Sequence, residues 1–149
     1  MVKMNDMMNV ILRDKQEEFS LQLDFMLTEI VSKTKKIKDC IIYDENGNLE
    51  EEKINFDKIL TFVGDWTGYE VSCNELRFER ESIPQSQFGL LARELSDMLS
   101  NKFNKKKIVV YILLFDNEIE LRFHTHREGE GLWLDKDLNK YDIPILCWI

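Results

Sequence analysis

The sequence has few of the residues that keep a chain unfolded. Only two of its 149 residues are proline and six are glycine, whereas 44% are hydrophobic and 32% are charged. Disordered chains combine low hydrophobicity with a high content of proline and polar residues. The composition therefore predicts an ordered protein, and the length suits one globular domain spanning residues 1–149.

Cysteines and long apolar runs are also scarce. The three cysteines, Cys40, Cys73 and Cys147, are odd in number and far apart, which argues against a disulfide framework and favours reduced thiols. No apolar run approaches the roughly 18 residues that a membrane span needs. The N-terminus has neither an uninterrupted apolar core nor a small-residue cleavage site. We expect a cytoplasmic protein without a membrane partner.

The sequence lacks the motifs that would assign an enzyme reaction. It contains no Gly-x-Ser-x-Gly elbow, no P-loop and no dinucleotide fingerprint. Residues 135–142 (DKDLNKYD) imitate the opening of a calcium loop. However, Lys140 stands where glycine is required, and Leu146 stands where a glutamate should close the site. We expect no catalytic residues, no cofactor and no metal site.

The two histidines of the chain lie close together. His124 and His126 would project to the same side of a strand, and Glu128 could add a carboxylate to make a donor set that several metal enzymes use. Arg122 and Arg127 flank the pair and would repel a cation. An exposed polar face is therefore the prediction, and a small metal-dependent enzyme centred on the two histidines is an alternative.

Two apolar segments separated by two residues predict an antiparallel hairpin. Residues 108–115 and 118–126 flank a turn at Asp116-Asn117. Folding about this turn gives one apolar face, which pairs Leu114 with Ile119, Ile112 with Leu121, Val110 with Phe123 and Ile108 with Thr125. On the opposite face the second strand carries charged residues, so we expect that face to be exposed and Glu120→Ala to be nearly neutral.

Helical periodicity predicts two helices. In residues 83–102 one face carries the apolar residues Phe88, Leu91, Leu95, Met98 and Leu99, and Ser82 with Gln85 would form the capping box. An earlier helix would start at Asp14 and present Phe19, Leu23, Met26, Leu27 and Ile30 on one face. Strict alternation of Phe19, Leu21, Leu23 and Phe25 leaves a strand as the alternative there.

Further strands complete the predicted fold. The predicted strands are residues 37–43, which run into a turn at Asn46-Gly47, residues 69–80, which form a strand or a hairpin with Leu76 and Phe78 on one face, and the C-terminal residues 143–149. Residues 64–68 predict a loop, and residues 54–63 have no clear period. The sequence thus predicts an α+β domain in which an antiparallel sheet with a central hairpin packs against about two helices.

The charge of the chain is acidic and unevenly distributed. The formal net charge is −8, from 28 acids and 20 bases, which disfavours nucleic acid as a partner because phosphate binding depends on Lys and Arg. Residues 116–142 carry eight acids and four bases, a local charge of −4. The predicted partner-binding residues there are Glu118, Glu120, Glu128, Glu130, Trp133, Asp135, Asp137 and Tyr141. Such a surface suits a basic protein.

Part of the C-terminal half resembles a known group of proteins. Residues 121–134 (LRFHTHREGEGLWL) and 137–146 (DLNKYDIPIL) are similar to small acidic bacterial immunity proteins of polymorphic and contact-dependent growth-inhibition toxin systems. The resemblance implies a non-catalytic cytoplasmic protein that binds and neutralises one cognate toxin C-terminal domain, often a basic nuclease. An acidic mimic of nucleic acid that inhibits a DNA- or RNA-binding protein is a further alternative, against which the 20 Lys and Arg residues count.

Overall fold

The computed structural model describes residues 1–149 and has the predicted α+β architecture. A five-stranded antiparallel sheet has the strand order β1-β7-β5-β6-β4, and a separate hairpin is formed by β2 and β3. The elements in chain order are β1 (Val2–Met4), α1 (Asp6–Leu12), α2 (Leu21–Ser32), β2 (Thr34–Ile37), β3 (Cys40–Tyr43), α3 (Phe56–Val63), α4 (Trp66–Cys73), β4 (Glu75–Glu79), α5 (Phe88–Lys102), β5 (Ile108–Leu114), β6 (Glu118–Thr125) and β7 (Ile145–Trp148).

The β5–β6 hairpin has the predicted register. Ile112 lies opposite Leu121 and Leu114 opposite Ile119, as the alternation of apolar residues requires. All seven residues of β5 are buried, because β7 and β6 pair with its two edges and both faces of the sheet are covered. The predicted C-terminal strand is also confirmed as β7, in which Cys147 is buried.

Both predicted helices form, but neither starts where its capping box was placed. Helix α5 begins at Phe88 after a short 3-10 turn, and the Ser82 hydroxyl donates a hydrogen bond to the carbonyl of Glu79. Helix α2 begins at Leu21, where the Ser20 side chain accepts from the backbone N–H of Leu23 at 3.1 Å. A side-chain oxygen at the N-cap satisfies an otherwise unpaired helical N–H, so Ser20 rather than Asp14 sets the start.

Residues 34–80 differ most from the prediction. The predicted strand 37–43 is a hairpin that turns at Lys38, whose φ of 51° is left-handed. The segment without a clear period is helix α3, capped by Asn55, and the predicted loop contains Asp65, which caps α4. The segment 69–80 is therefore divided between α4 and β4. Short helices started by side-chain caps explain why the periodicity was weak.

The main core lies between the sheet and two helices. Helices α2 and α5 pack together over one sheet face and bury 22 residues there, among them Leu27, Leu95 and Leu121. Phe19, predicted to lie on the buried face of α2, precedes that helix and is exposed. Whether the predicted partner-binding residues reach solvent depends on what covers the other face of the sheet.

Candidate protein-binding surface

The second sheet face is covered by the segment that was predicted to bind a partner. Tyr111 and Cys147 belong to a smaller core with Leu138, against which Trp133 and Tyr141 pack half-buried. The Trp133 ring meets the Tyr111 ring edge-on at 5.4 Å, and the Arg122 guanidinium lies 4.9 Å from the centre of the Trp133 ring. The Tyr141 hydroxyl accepts from the backbone N–H of Asp135 at 2.9 Å. Both aromatic residues therefore serve the fold instead of standing out as anchors.

Glu120 is not on an exposed face. Its side chain is only 4% exposed, and it accepts from the Arg122 guanidinium at 2.7 Å, with Arg77 at 3.6 Å. Burial raises the pKa of Glu120, and a hydrogen bond with Glu75 acts in the same direction. The prediction that this side of β6 faces solvent is wrong at Glu120, because Arg122 and Arg77 enclose its carboxylate.

Glu130 is likewise occupied within the fold. Its carboxylate accepts from the backbone N–H groups of Trp66 and Thr67, at 3.0 and 2.8 Å, and from the Thr67 hydroxyl at 2.6 Å. Burial acts to raise the pKa of Glu130, but these hydrogen bonds outweigh it and the pKa is lowered. Glu130 thus fixes the first turn of α4.

The other predicted carboxylates reach solvent. Glu118 is half-exposed and lies 2.7 Å from Arg77, and Asp135 pairs with Lys140 at 2.8 Å. Asp137 accepts from the backbone N–H of Asn139 at 3.1 Å. Glu128 is exposed and takes part in no ion pair or side-chain hydrogen bond. What remains of the predicted surface is a set of solvated carboxylates without an apolar anchor.

His124 is fully buried, so the prediction of an exposed histidine face is wrong. Its Nδ1 donates to the carbonyl of Thr125 at 2.8 Å, and its Nε2 accepts from the Tyr111 hydroxyl at 3.1 Å. His126 lies beyond the end of β6, and no group of three His, Cys, Asp or Glu residues is placed to hold a metal ion. A metal on His124 would have to displace a hydrogen bond at either ring nitrogen.

The burial of His124 predicts a pH-dependent stability. Desolvation lowers the pKa of His124 in the folded state below the unfolded value of about 6.5. Between these two pKa values the unfolded chain binds more protons. The free energy of unfolding should therefore fall as the pH drops below about 6.5, by up to about 1.4 kcal/mol per pH unit from this group.

Urea unfolding between pH 5 and 8 measures this dependence. The free energy of unfolding should depend less steeply on pH in the His124→Gln variant than in the wild type. The carboxylates also titrate in this range, but they contribute similarly to the pH dependence of both proteins. An NMR titration of the His124 ring gives its folded pKa directly. A ring that protonates above pH 6.5 in the folded protein contradicts the expected effect.

A second buried polar network joins the β2–β3 hairpin to the main sheet, and the sequence did not indicate it. Glu70 on α4 is fully buried and accepts from the backbone N–H groups of Ile41 and Thr125 and from Arg127 at 3.0 Å. One turn later, Asn74 donates to the carbonyls of Ile41 and Phe123. Two side chains thus replace backbone pairing between β3 and the end of β6. The only signal in the sequence is their spacing of four residues on one helix face.

The thiols are equally inaccessible. Cys40 and Cys147 are buried, and burial raises the pKa of each to about 12. Burial also raises the pKa of the half-buried Cys73. Since the thiolate is the nucleophilic form, the structure keeps these groups in their unreactive state near neutral pH.

The larger depressions of the surface involve neither histidines nor cysteines. One of about 370 Å³ lies beside Lys38 and Asp57, and one of about 350 Å³ lies between β4 and the β5–β6 turn, beside Arg80 and Asp116. A third, of about 290 Å³, lies between the N-terminal segment and the start of α5. None of the helices has the length and apolar character to cross a membrane.

Comparison with known proteins identifies a family. The model of the Uncharacterized protein PM0498 family matches residues 3–148, which is nearly the whole chain. No curated protein and no solved structure is significantly similar to the chain. A functional inference therefore depends on the residues described above.

Proposed function

We propose that this chain, which belongs to the Uncharacterized protein PM0498 family, is a non-catalytic immunity protein that binds and neutralises a cognate bacterial toxin domain. The observation that carries the proposal is the division of polar groups between interior and surface. His124, Cys40 and Cys147 are buried and partnered or protonated, whereas most of the carboxylates of a chain with net charge −8 reach solvent. The resemblance of residues 121–134 and 137–146 to small acidic immunity proteins agrees with this division.

Like charges are concentrated at one end of the sheet. Glu79 and Glu118 lie directly opposite each other on β4 and β6, and Arg77 compensates Glu118 at 2.7 Å. Glu79, Glu81 and Asp116 line the depression there with Arg80 as the single cation. The depression therefore has net negative charge, which suits a basic protein.

The expected partner is a basic toxin C-terminal domain, such as a nuclease. Complementary charge accelerates the encounter of two proteins, up to about 10⁸–10⁹ M⁻¹s⁻¹ at low salt. The field of the whole acidic surface contributes to this steering, and it includes the solvated carboxylates Glu118, Glu128, Asp135 and Asp137. Trp133 and Tyr141 are packed on the sheet and are left out of the proposed contact.

Toxin neutralisation is the direct test of the proposal. The C-terminal domain of the protein encoded by the neighbouring open reading frame is expressed in a sensitive host, with and without the chain. Co-expression is expected to restore growth, and the two purified proteins are expected to form a complex. Continued growth arrest together with the absence of a complex would reject the immunity function.

Charge reversal at Glu128 should slow association without affecting folding. Glu128 has no internal ion pair, so Glu128→Lys changes mainly the external field, and we expect the association rate to fall severalfold at low salt. Glu128→Gln is the matched control, since it makes half the change in charge and should have a smaller effect. Stopped-flow measurements of the association rate at about 0.01 and 0.15 M salt test this. Because the Debye length falls from about 30 to 8 Å, the association rates of the three proteins should differ less at the higher salt concentration. Equal rates for all three proteins would show that this carboxylate does not steer the partner.

A further inference from the structure

Three large apolar side chains project into solvent from the start of helix α2. The exposed fractions are 61% for Phe19, 83% for Leu21 and 73% for Phe25. Single exposed apolar residues are common on soluble proteins, but a contiguous group of them marks an interaction surface. We refer to Phe19, Leu21 and Phe25 as the α2 ridge.

The helical period explains why the ridge is contiguous. Leu21 and Phe25 are four residues apart and share one face of α2, whereas Leu23 and Leu27 point into the core. Phe19 immediately precedes the N-cap, where an apolar residue often packs on the fourth helical residue. That residue is Asp24, so Phe19 has no such partner and remains exposed.

The segment that carries the ridge is held against the start of α5. The backbone N–H of Glu18 donates to the carbonyl of Ser86 at 3.4 Å, and the Gln87 side chain donates to the Ser20 hydroxyl at 3.1 Å. The ridge therefore presents its apolar side chains from a fixed backbone. Ordering a flexible segment upon binding costs free energy. This backbone is already ordered in the folded protein, so binding does not have to order it.

The surroundings of the ridge are acidic. Residues 14–29 contain five acids and one base, and all five carboxylate residues are exposed. Glu17 lies 3.5 Å from Arg93 and Glu29 lies 3.0 Å from Lys33, but Asp24 has no cationic neighbour in the chain. Asp14, Glu18 and Asp24 take part in no ion pair, so the apolar side chains have net negative charge near them in the chain and are complementary to an apolar recess with a basic rim.

A depression of about 290 Å³ lies beside the segment that precedes the ridge. Its lining includes Leu12, Trp148, Glu17 and the cations Lys15 and Arg93, but no residue of the ridge. The ridge itself exposes roughly 400 Å² of apolar surface, about half of the ~800 Å² that one partner contributes to a standard interface. The exposed carboxylates of residues 14–29 supply further contact area.

We propose that the α2 ridge forms the docking surface for a basic protein that receives Leu21 and Phe25 in an apolar recess. The identity of this protein as the cognate toxin domain rests on the proposed function. A second copy of this chain is disfavoured because two acidic surroundings would repel each other, and an anionic membrane is disfavoured for the same reason.

Binding of the purified toxin C-terminal domain to the full chain tests the docking surface. The Leu21→Ser/Phe25→Ser double variant is expected to raise Kd at least thirtyfold, mainly through faster dissociation, because buried anchors control the lifetime of a complex. Phe62→Ser is the matched control, since Phe62 is 80% exposed on α3, and its Kd should stay within twofold of the wild type. Thermal unfolding should show all three proteins folded, because the replaced side chains are exposed.

The outcomes distinguish the docking surface from the proposed function. If the wild type binds the toxin domain and the double variant binds equally well, docking occurs elsewhere and the inference is overturned while the immunity function stands. If the wild type does not bind at all, the immunity function fails and the inference fails with it. A wild-type dimer in sedimentation that the double variant abolishes would make the occupant a second copy and overturn the proposal as well.

Discussion

Replacement of Glu70 by leucine is expected to lower the free energy of unfolding by about 3–5 kcal/mol. Glu70 is fully buried and accepts from Ile41, Thr125 and Arg127. Its loss leaves the Arg127 guanidinium without its buried anionic partner and two backbone N–H groups without acceptors. The β2–β3 hairpin should then lose its main attachment to the sheet.

Urea denaturation of two variants measures this effect. Glu52→Leu provides the control. Because Glu52 is exposed, this substitution should change the free energy of unfolding by no more than about 0.5 kcal/mol. Hydrogen exchange should locate the loss, with the amides of Ile41 and Thr125 exchanging faster than those of β5. A Glu70→Leu variant as stable as the Glu52→Leu variant would mean that apolar contacts alone hold the hairpin.

Leu121→Ala is expected to destabilise the protein by about 2–5 kcal/mol. Leu121 is fully buried, lies opposite Ile112 on one side and Leu76 on the other, and faces the core under α5. Truncation removes apolar burial and leaves a cavity that the neighbouring strands cannot close. Calorimetric or urea unfolding of the folded variant measures the loss directly.

At the neighbouring residue, Glu120, the structure predicts a different mutational effect from the one that the sequence predicts. Alternation along β6 predicted a solvated Glu120 and a nearly neutral Glu120→Ala, but the structure buries this carboxylate between Arg122 and Arg77. We now expect Glu120→Ala to cost about 1–3 kcal/mol, since Arg122 loses its closest anionic partner. If Glu120→Ala leaves the free energy of unfolding unchanged while Leu121→Ala lowers it strongly, Glu120 lies on an exposed face, as the sequence predicts.

The hairpin shows how much of the fold the sequence predicted. Residues 108–125 alternate in two complementary patterns about a two-residue turn, and this local information suffices for the register, as the Ile112–Leu121 pair confirms. Helix α5 was predictable for the same reason, because its apolar stripe repeats over four turns. Periodicity was unreliable in α3 and α4, where eight residues provide too few repeats and the caps Asn55 and Asp65 set the start.

The alternation of Phe19, Leu21, Leu23 and Phe25 leaves a strand as the alternative to a helix, and the structure confirms the helix, α2, with Leu23, Leu27 and Ile30 buried. This helix also carries apolar residues on a second, exposed face. Leu23 belongs to the core, whereas Leu21 and Phe25 face solvent. A pattern that satisfies two periods at once indicates a helix with an additional apolar face, and that face is where we place the docking surface.

The sequence by itself determined the α+β class, the central hairpin with its register, and the acidic character of the molecule, because each depends on composition or on neighbours within one element. Only the tertiary structure decided which polar residues are available at the surface. Glu120, His124 and Glu130 look solvated in a local pattern, but Glu120 lies between Arg122 and Arg77, His124 stacks on the buried Tyr111, and α4 binds the Glu130 carboxylate. Most of these contacts join residues that are far apart in sequence, so the alternation of residues within β6 cannot predict them. Burial of a side chain depends on which distant segment folds over it, and that segment is chosen by the packing of the whole chain.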